Sequence, residues 1–343
     1  MSAYHFVQAT TLAALEQFCA FPGAYPVTPQ SPAMEDADAH WLALAANETP
    51  VARCSLWWRN TPPPPAGMTD EQGTLGLIGH YAATDTAAGV ALLEHTCREL
   101  ATRNCTLAVG PLDGNTFRHY RLLTERTIEG PEHLPFFLEP DNPDDWPVHF
   151  TASGFAPLAH YFSALAELAP ADPRTVALAD QVAAHGVRVR NVEMAHFEAE
   201  LQRIYQIVLQ SFHENFLYLP ISATEFFALY KPLRPLVEPE LVLIAEHDDS
   251  PAGFLFALPD LAQAQRGERI DTVIIKTVGV VPALAGIGLG GLLVALAQER
   301  AFALGYRSAI HALMYEDNRS RKISARYARP MRRYTLFARP LSG

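Results

Sequence analysis

Val280-Val-Pro-Ala-Leu-Ala-Gly286-Ile-Gly288-Leu-Gly290-Gly291-Leu-Leu293 decides the fold. It joins an apolar strand pattern over residues 270–281 to a helical one from about 290 to 304, with Leu289, Leu292, Leu293 and Leu296 on one side. Glycines at such a junction let backbone N–H groups come close to a ligand, and the helix N-terminus adds the positive end of a dipole, which together suit a pyrophosphate. The other use of such glycines is to ease close packing. The stretch from Val278 to Ala297 is uncharged and long enough to cross a bilayer, but Pro282 and five glycines (279, 286, 288, 290, 291) break it into strand, turn and helix. No membrane partner is expected.

Outward from the loop, the second half reads as a strand at 187–192, a helix at 198–212 with an apolar stripe of Leu201, Ile204, Tyr205, Val208 and Leu209, and an aromatic loop from Phe212 to Tyr218. A helix near 224–233 follows, then strands at 241–246 and 252–258 joined by a polar turn. After the glycine loop come a strand at 308–314, a helix near 319–327 and a strand at 333–338. The first half repeats this outline: strands at 51–58 and 75–82 around a proline-rich loop, a helix at 87–103, and strands at 106–109 and 159–165. Ala169-Pro-Ala-Asp-Pro-Arg174 separates the two patterns, so residues 1–169 and 170–343 are expected to be two domains. The matching order of elements implies internal duplication.

Composition narrows the function. A chain of 343 residues with 49% hydrophobic and 18% charged residues folds as a globular protein. Its net charge, 26 − 37 = −11, argues against nucleic acid as a partner. From Ala301 on, nine basic residues face only Glu316 and Asp317, a local balance of +7 that either pairs with acidic neighbours or meets a small anion. Cys19, Cys54, Cys97 and Cys105 are scattered, with no C-x-x-C and no zinc spacing, so a reduced, cytoplasmic protein without a metal is expected. Residues 1–25 show no basic-then-apolar leader. G-x-S-x-G, H-E-x-x-H, a Walker lysine and an EF-hand loop are absent. Gly286-x-Gly288-x-x-Gly291 also matches a dinucleotide fingerprint, with Glu316 beyond. Against it, Pro282–Ala285 separates strand from glycines, and only about fifty residues remain where a whole domain should follow.

The stretch resembles the GNAT superfamily of N-acetyltransferases in Val280-Val-Pro282, Gly288-Leu-Gly290 and Leu292-Leu293, with Asn318 after the next strand. The specific motif covers about 15 residues, and the order of elements extends the resemblance over 187–340. It implies an α/β fold of two tandem GNAT-like domains, each a mixed, mainly antiparallel sheet flanked by helices. Residues 170–343 would bind acyl-CoA, and 1–169 would be a degenerate copy. The implied activity is acyl-CoA-dependent N-acyl transfer, with acetyl-CoA as co-substrate and a small-molecule or peptide amine as acceptor, in a monomeric pseudo-dimer or a homodimer. Val280 and Val281 would supply an oxyanion donor, and Gly286, Ile287, Gly288, Leu289, Gly290, Gly291, Asn318 and Arg321 would hold the co-substrate, with Arg319 and Lys322 near its phosphate. Tyr327 would be the acid, and Phe212, Phe216 and Tyr218 would touch the acceptor.

Two positions depart from the family pattern. Ala285 stands where Arg or Gln is usual, and Ile274 stands where the family often places an acid. The base is therefore unassigned, with His213, Glu214, Glu225 and Glu246 nearby in the pattern. In the first half Asn142, Phe150 and Gly154-Phe155 follow the family's ending, but a phenyl ring has no proton to give. Its turn at 84–89 has one glycine and an aspartate that would repel phosphate. Two alternatives stand beside transfer: an acyl-CoA-binding module without catalysis, and an NAD(P)-binding oxidoreductase.

Overall fold

The computed structural model describes residues 4–65, 67–68, 73–126, 134–317, 324 and 328–341. The first half runs β1 (His5–Gln8), α1 (Leu12–Ala20), α2 (Pro32–Glu35), β2 (Ala39–Leu44), β3 (Pro50–Trp57), β4 (Leu75–Ala83), α3 (Thr86–Thr102), β5 (Leu107–Gly110), β6 (Leu122–Arg126), α4 (Trp146–Ala152) and β7 (Ala156–Glu167). The second runs α5 (Pro173–Ala183), β8 (Val187–Asn191), α6 (Phe197–Ser211), α7 (Ala223–Tyr230), β9 (Val242–His247), β10 (Ser250–Pro259), α8 (Leu261–Gln265), β11 (Thr272–Val280), α9 (Leu289–Ala303), β12 (Ser308–Tyr315) and β13 (Ala328–Pro340). The fold is mixed α/β, as expected, with seven strands in the first half and six in the second, β6 being the one without a counterpart. The proline-containing stretch near 170 leads directly into α5, whose N-cap Asp172 accepts from Arg174 N.

All strands join one sheet of 13, ordered β1-β2-β3-β4-β5-β13-β7-β12-β11-β10-β9-β8, with β6 also on β13. Two parallel pairs, β4–β5 and β11–β12, sit at matching places in the two halves, and the other pairings are antiparallel. Residues 75–82 of β4 are all buried, the continuous pattern of a central strand covered on both faces.

The last strand of each half lies in the other half's part of the sheet. β7 pairs with β12, Ile310 opposite Leu165, and β13 pairs with β5, Ala338 opposite Val109. β7 and β13 then pair with each other down the middle. This exchange puts residues of both halves around each opening in the sheet.

Helices cover both faces. α3 and α4 pack on the first half through Leu92, Leu93, Leu100 and Phe150. α9 and α5 pack on one face of the second half, where Leu289, Leu292 and Leu293 meet Val273, Leu255 and Val182. On its other face α6 and α7 bury Leu201, Ile204, Val208 and Phe226 against Phe254 and Ile274, and Phe136 of the first half joins that cluster. Among the described residues no helix is long and apolar enough to cross a membrane.

Candidate functional site

β11 and β12 pair in parallel only from Thr272↔Ser308 to Ile275↔His311, and then they part. β12 stays on β7 through a bulge between His311 and Met314, while β11 stays on β10. The opening between them begins at Lys276, which the β10–β11 register skips, since Ala257 faces Ile275 and Phe256 faces Thr277. Val281 N–H donates to Ala252 O (2.9 Å), and antiparallel alternation then turns Val280 N–H away from β10, toward the opening. Of the two valines singled out in the sequence, Val280 therefore has the amide free for a ligand, and the amide of Val281 is engaged.

The glycine loop follows at the end of β11. Pro282–Leu284 makes one 3-10 turn, Gly286 and Gly288 take φ of 93° and 94°, and α9 starts at Leu289. Gly288 is the N-cap and offers no side-chain acceptor, so Leu289, Gly290 and Gly291 begin the helix with their N–H groups uncapped, and the first helical bond is Leu292 N–H to Gly288 O (3.0 Å). A Cβ on Gly286 would meet nothing within 4 Å, which places open space beside this turn. The opposite side is braced. Gln181 Nε2 donates to Ile287 O (3.0 Å), and a Cβ on Gly288 would come within 2.6 Å of Leu178. Leu289 is buried in the core behind the loop.

The aromatic loop bridges the halves. Phe212 leans on Phe254, Phe216 stacks on Tyr315 at the end of β12 (5.6 Å between centroids), and Tyr218 meets Phe117 of the first half edge-on. Leu217 is buried among first-half residues including Trp57 and Leu112. Phe216 thus reaches the edge of the opening, while Tyr218 is occupied in holding the halves together. Asn318, Arg321 and Tyr327 lie outside the described residues, as do Arg319 and Lys322.

The proposed bases have other tasks. Glu225 binds Arg118 (2.6 Å), and Glu246 binds Arg190 (2.7 Å) and Arg188 (2.8 Å), where hydrogen bonding to Arg190 holds its carboxyl below the usual range. His213 and Glu214 face solvent. Of the five described basic residues of the tail, Arg332 is ion-paired with Glu139, and Arg333 with Glu125 and Glu316.

Residues that carry no motif stand at the opening instead. Lys276 is half-buried with Nζ 3.5 Å from Leu138 O, and burial, reinforced by the Arg121 guanidinium and opposed by Glu139, pushes its ammonium down to about 8. Glu139 is fully buried 3.2 Å from Arg332 Nε, and burial pushes its carboxyl up to about 7 against the hydrogen bond from Tyr334 OH. Tyr334 OH lies 3.2 Å from Ser163 Oγ, which accepts from Leu313 N–H (3.0 Å) at the bulge of β12. Ser211 Oγ is buried without a partner, 3.5 Å from where a Cβ on Gly279 would sit. Two of these residues, Ser163 and Tyr334, come from the exchanged strands. On the α9 face, burial lowers His311 to about 4 between Gln298 and Ser324, so it is a neutral core histidine. Among the described residues no cluster of His, Cys, Asp and Glu could hold a metal ion.

Residues 201–324 match the Acetyltransferase (GNAT) family model. The chain is 25% identical over 206 residues to a bacterial ceramide synthase of Caulobacter vibrioides, a match covering 60% of this chain and 51% of that protein. It is 29% identical over 92 residues to the protein YghO of Escherichia coli, covering 27% of this chain and 23% of that one. The matched stretches thus span about half, or less, of these curated relatives. Among solved structures, the fold superposes on the glucosamine N-acetyltransferase region of a fungal multi-domain β-N-acetylglucosaminidase with a TM-score of 0.55, at 11% identity over 98% of this chain and 38% of that one. It superposes on a tandem GNAT protein of the clavulanic acid biosynthesis pathway with a TM-score of 0.50, at 11% identity over 99% of both chains.

Proposed function

We propose that the second half of this chain, whose residues 201–324 match the GNAT family model, transfers an acetyl group from acetyl-CoA to a primary amine by direct attack. The observation that carries this is the α9 N-terminus: capped by Gly288, uncapped by any side chain, with open space at Gly286, beside the place where β11 and β12 part. Three uncapped amides and a helix dipole suit the pyrophosphate of CoA. Val280 N–H turns toward the opening, where it can donate to the carbonyl oxygen as negative charge develops on it. The neutral amine nitrogen forms the C–N bond and gives up a proton to solvent water, the C–S bond breaks, and the thiolate leaves with a proton from Tyr327, which solvent then restores. Of Phe212, Phe216 and Tyr218, Phe216 stands on the acceptor side, and Asn318 and Arg321 are assigned on this reading to the co-substrate site. On this reading residues 170–343 form the working domain and 1–169 its degenerate partner, and the chain acts as a monomer that contains its own pseudo-dimer. Four free thiols, three of them buried, support a cytoplasmic location.

The test is thiol release from acetyl-CoA with a panel of small and peptide amines. Amine-dependent release supports transfer, and binding of acetyl-CoA without release by any amine would favour acyl-CoA binding without catalysis. A second reading has its own observation. Between α6, α7 and the β9–β10 face lies an apolar cavity of about 30 Å³ lined by Phe197, Leu201, Ile204, Tyr230, Phe254 and Phe256. Its apolar lining suits the methyl end of a longer hydrocarbon chain rather than the whole of one, in keeping with the ceramide synthase likeness. A kcat/KM that rises with acyl-chain length would select this reading over acetyl transfer.

A further inference from the structure

The first half has its own opening, where β4 and β5 part after Leu77↔Val109. A cavity of about 30 Å³ lies there, room for one or two waters or a carboxylate group. Its lining includes Tyr25, His119, Tyr120, Arg121 and Trp146. Two of these carry unspent donors. Arg121 Nε and Trp146 Nε1 are both buried without a hydrogen-bond partner, in residues 7% and 4% exposed.

The charge of Arg121 is as notable as its free N–H. Among the described residues no carboxylate lies within ion-pair distance of this guanidinium. Its faces rest on Tyr120 (4.0 Å) and Tyr161 (4.4 Å), and its NH1 donates to Tyr120 OH (2.8 Å) and, at 3.5 Å, to Leu313 O. The acidic side chain in the lining, Asp141, is bound by Arg126 (2.7 Å), and nearby Asp113 accepts from Tyr25 OH (2.7 Å). Burial holds His119 below its usual value, so it adds no anion and little charge. A buried cation without a counterion is costly, and a buried unpaired donor adds to that cost. Both features line one cavity.

We propose that this cavity is a binding site for a small carboxylate anion, held by Arg121 Nε–H and Trp146 Nε1–H. Coenzyme A is a poor fit at this place. The helix that follows, α3, is capped by Asp85, whose Oδ1 accepts from Ala88 N–H, and a Cβ on Gly89 would lie 2.3 Å from Tyr81 OH. The site is thus separate from the one on α9, and it stands or falls independently of acyl transfer. Through Arg121 it touches Leu313 of β12, so a bound carboxylate would lie one side chain away from the second half's opening.

Indole and guanidinium N–H resonances test this on the full-length protein. The chain has four tryptophans, and Trp146→Phe identifies the Trp146 indole signal. Sodium acetate should move the Trp146 indole and the Arg121 Nε–H signals together and saturably, while sodium chloride at matched ionic strength should not. Arg121→Lys, which keeps the charge and loses Nε–H, should weaken acetate about tenfold, the loss of one charge-assisted hydrogen bond. If that variant fails to fold, the paired shifts in the unaltered protein decide alone. Absence of both shifts, or equal shifts with chloride, would overturn the carboxylate site.

Discussion

The two halves place a strand, a turn and a helix in the same order beside a parallel strand pair, and they finish the turn in opposite ways. In the second half the N-cap is Gly288, with φ of 94°, no side-chain acceptor, and open space at Gly286. In the first half the N-cap is Asp85, whose carboxylate spends itself on Ala88 N–H, and Gly89 N–H bonds Asp85 O. The space a ligand would need at Gly89 is filled by Tyr81 OH and His149 Nδ1, themselves 2.8 Å apart. A carboxylate at the N-cap satisfies a helix end that the other copy leaves without a side-chain cap. On the proposed reading, one copy has become structure and the other serves as the co-substrate site.

The largest test of this comparison removes one half. The exchange gives β12 its outer neighbour β7 and gives β13 neighbours on both sides. Residues 170–343 alone would expose a long unpaired edge along β12 and leave β13 without β5 and β7. The expected result is no cooperative thermal transition as a monomer, read by circular dichroism with size-exclusion chromatography. A stable monomeric fragment would break the claim that the halves are obligate partners.

The next largest converts one loop into the other. Gly288→Asp supplies the carboxylate that Asp85 supplies in α3, and acetyl-CoA affinity should fall at least about 100-fold, since several charge-assisted hydrogen bonds are lost at once. The positive φ and the nearby Leu178 add strain, so calorimetric binding is to be read beside a melting curve.

A smaller effect concerns Lys276. Its ammonium is lowered to about 8 from an ordinary 10.5, so between those values the unfolded chain holds more protons and stability rises with pH. At pH 7 both states are charged and the cost of burying the ammonium is fully present. Lys276→Met should raise Tm at pH 7 by roughly 2 °C or more and remove the rise between about pH 8 and 10.5. An unchanged pH profile would show that Lys276 is solvated at the opening. Smallest is Asp85→Ala, which should cost about 1 kcal/mol from the lost cap and leave acetyl-CoA affinity unchanged.

The glycine loop and most elements of the second half were legible because their signals are local: positive-φ glycines, a proline after a strand, apolar residues at helical or alternating spacing. The strand at 270–281 and the helix from about 290 lie within a residue or two of β11 and α9. Strand exchange was not legible, because β7 and β13 have the same apolar pattern whichever half they join, and pairing partners are chosen by the whole sheet. The same holds for Lys276, Glu139, Tyr334 and Ser163, which meet only because that exchange and the 134–141 segment bring them together. The expected linker near 170 hid α5, whose Leu178 and Gln181 brace the loop and carry no signal in sequence beyond an Asp-Pro start. The aromatic run from Phe212 was visible, but its division into Phe216 at the opening and Leu217 in the first half's core depends on the tertiary contact.

The most direct measurement is calorimetric titration of the full chain with acetyl-CoA, with NADPH as the parallel ligand. The account predicts one acetyl-CoA site per chain, abolished by Gly288→Asp and untouched by Asp85→Ala, and no binding of NADPH. Two acetyl-CoA sites per chain, none at all, or binding of NADPH in place of acetyl-CoA would contradict it.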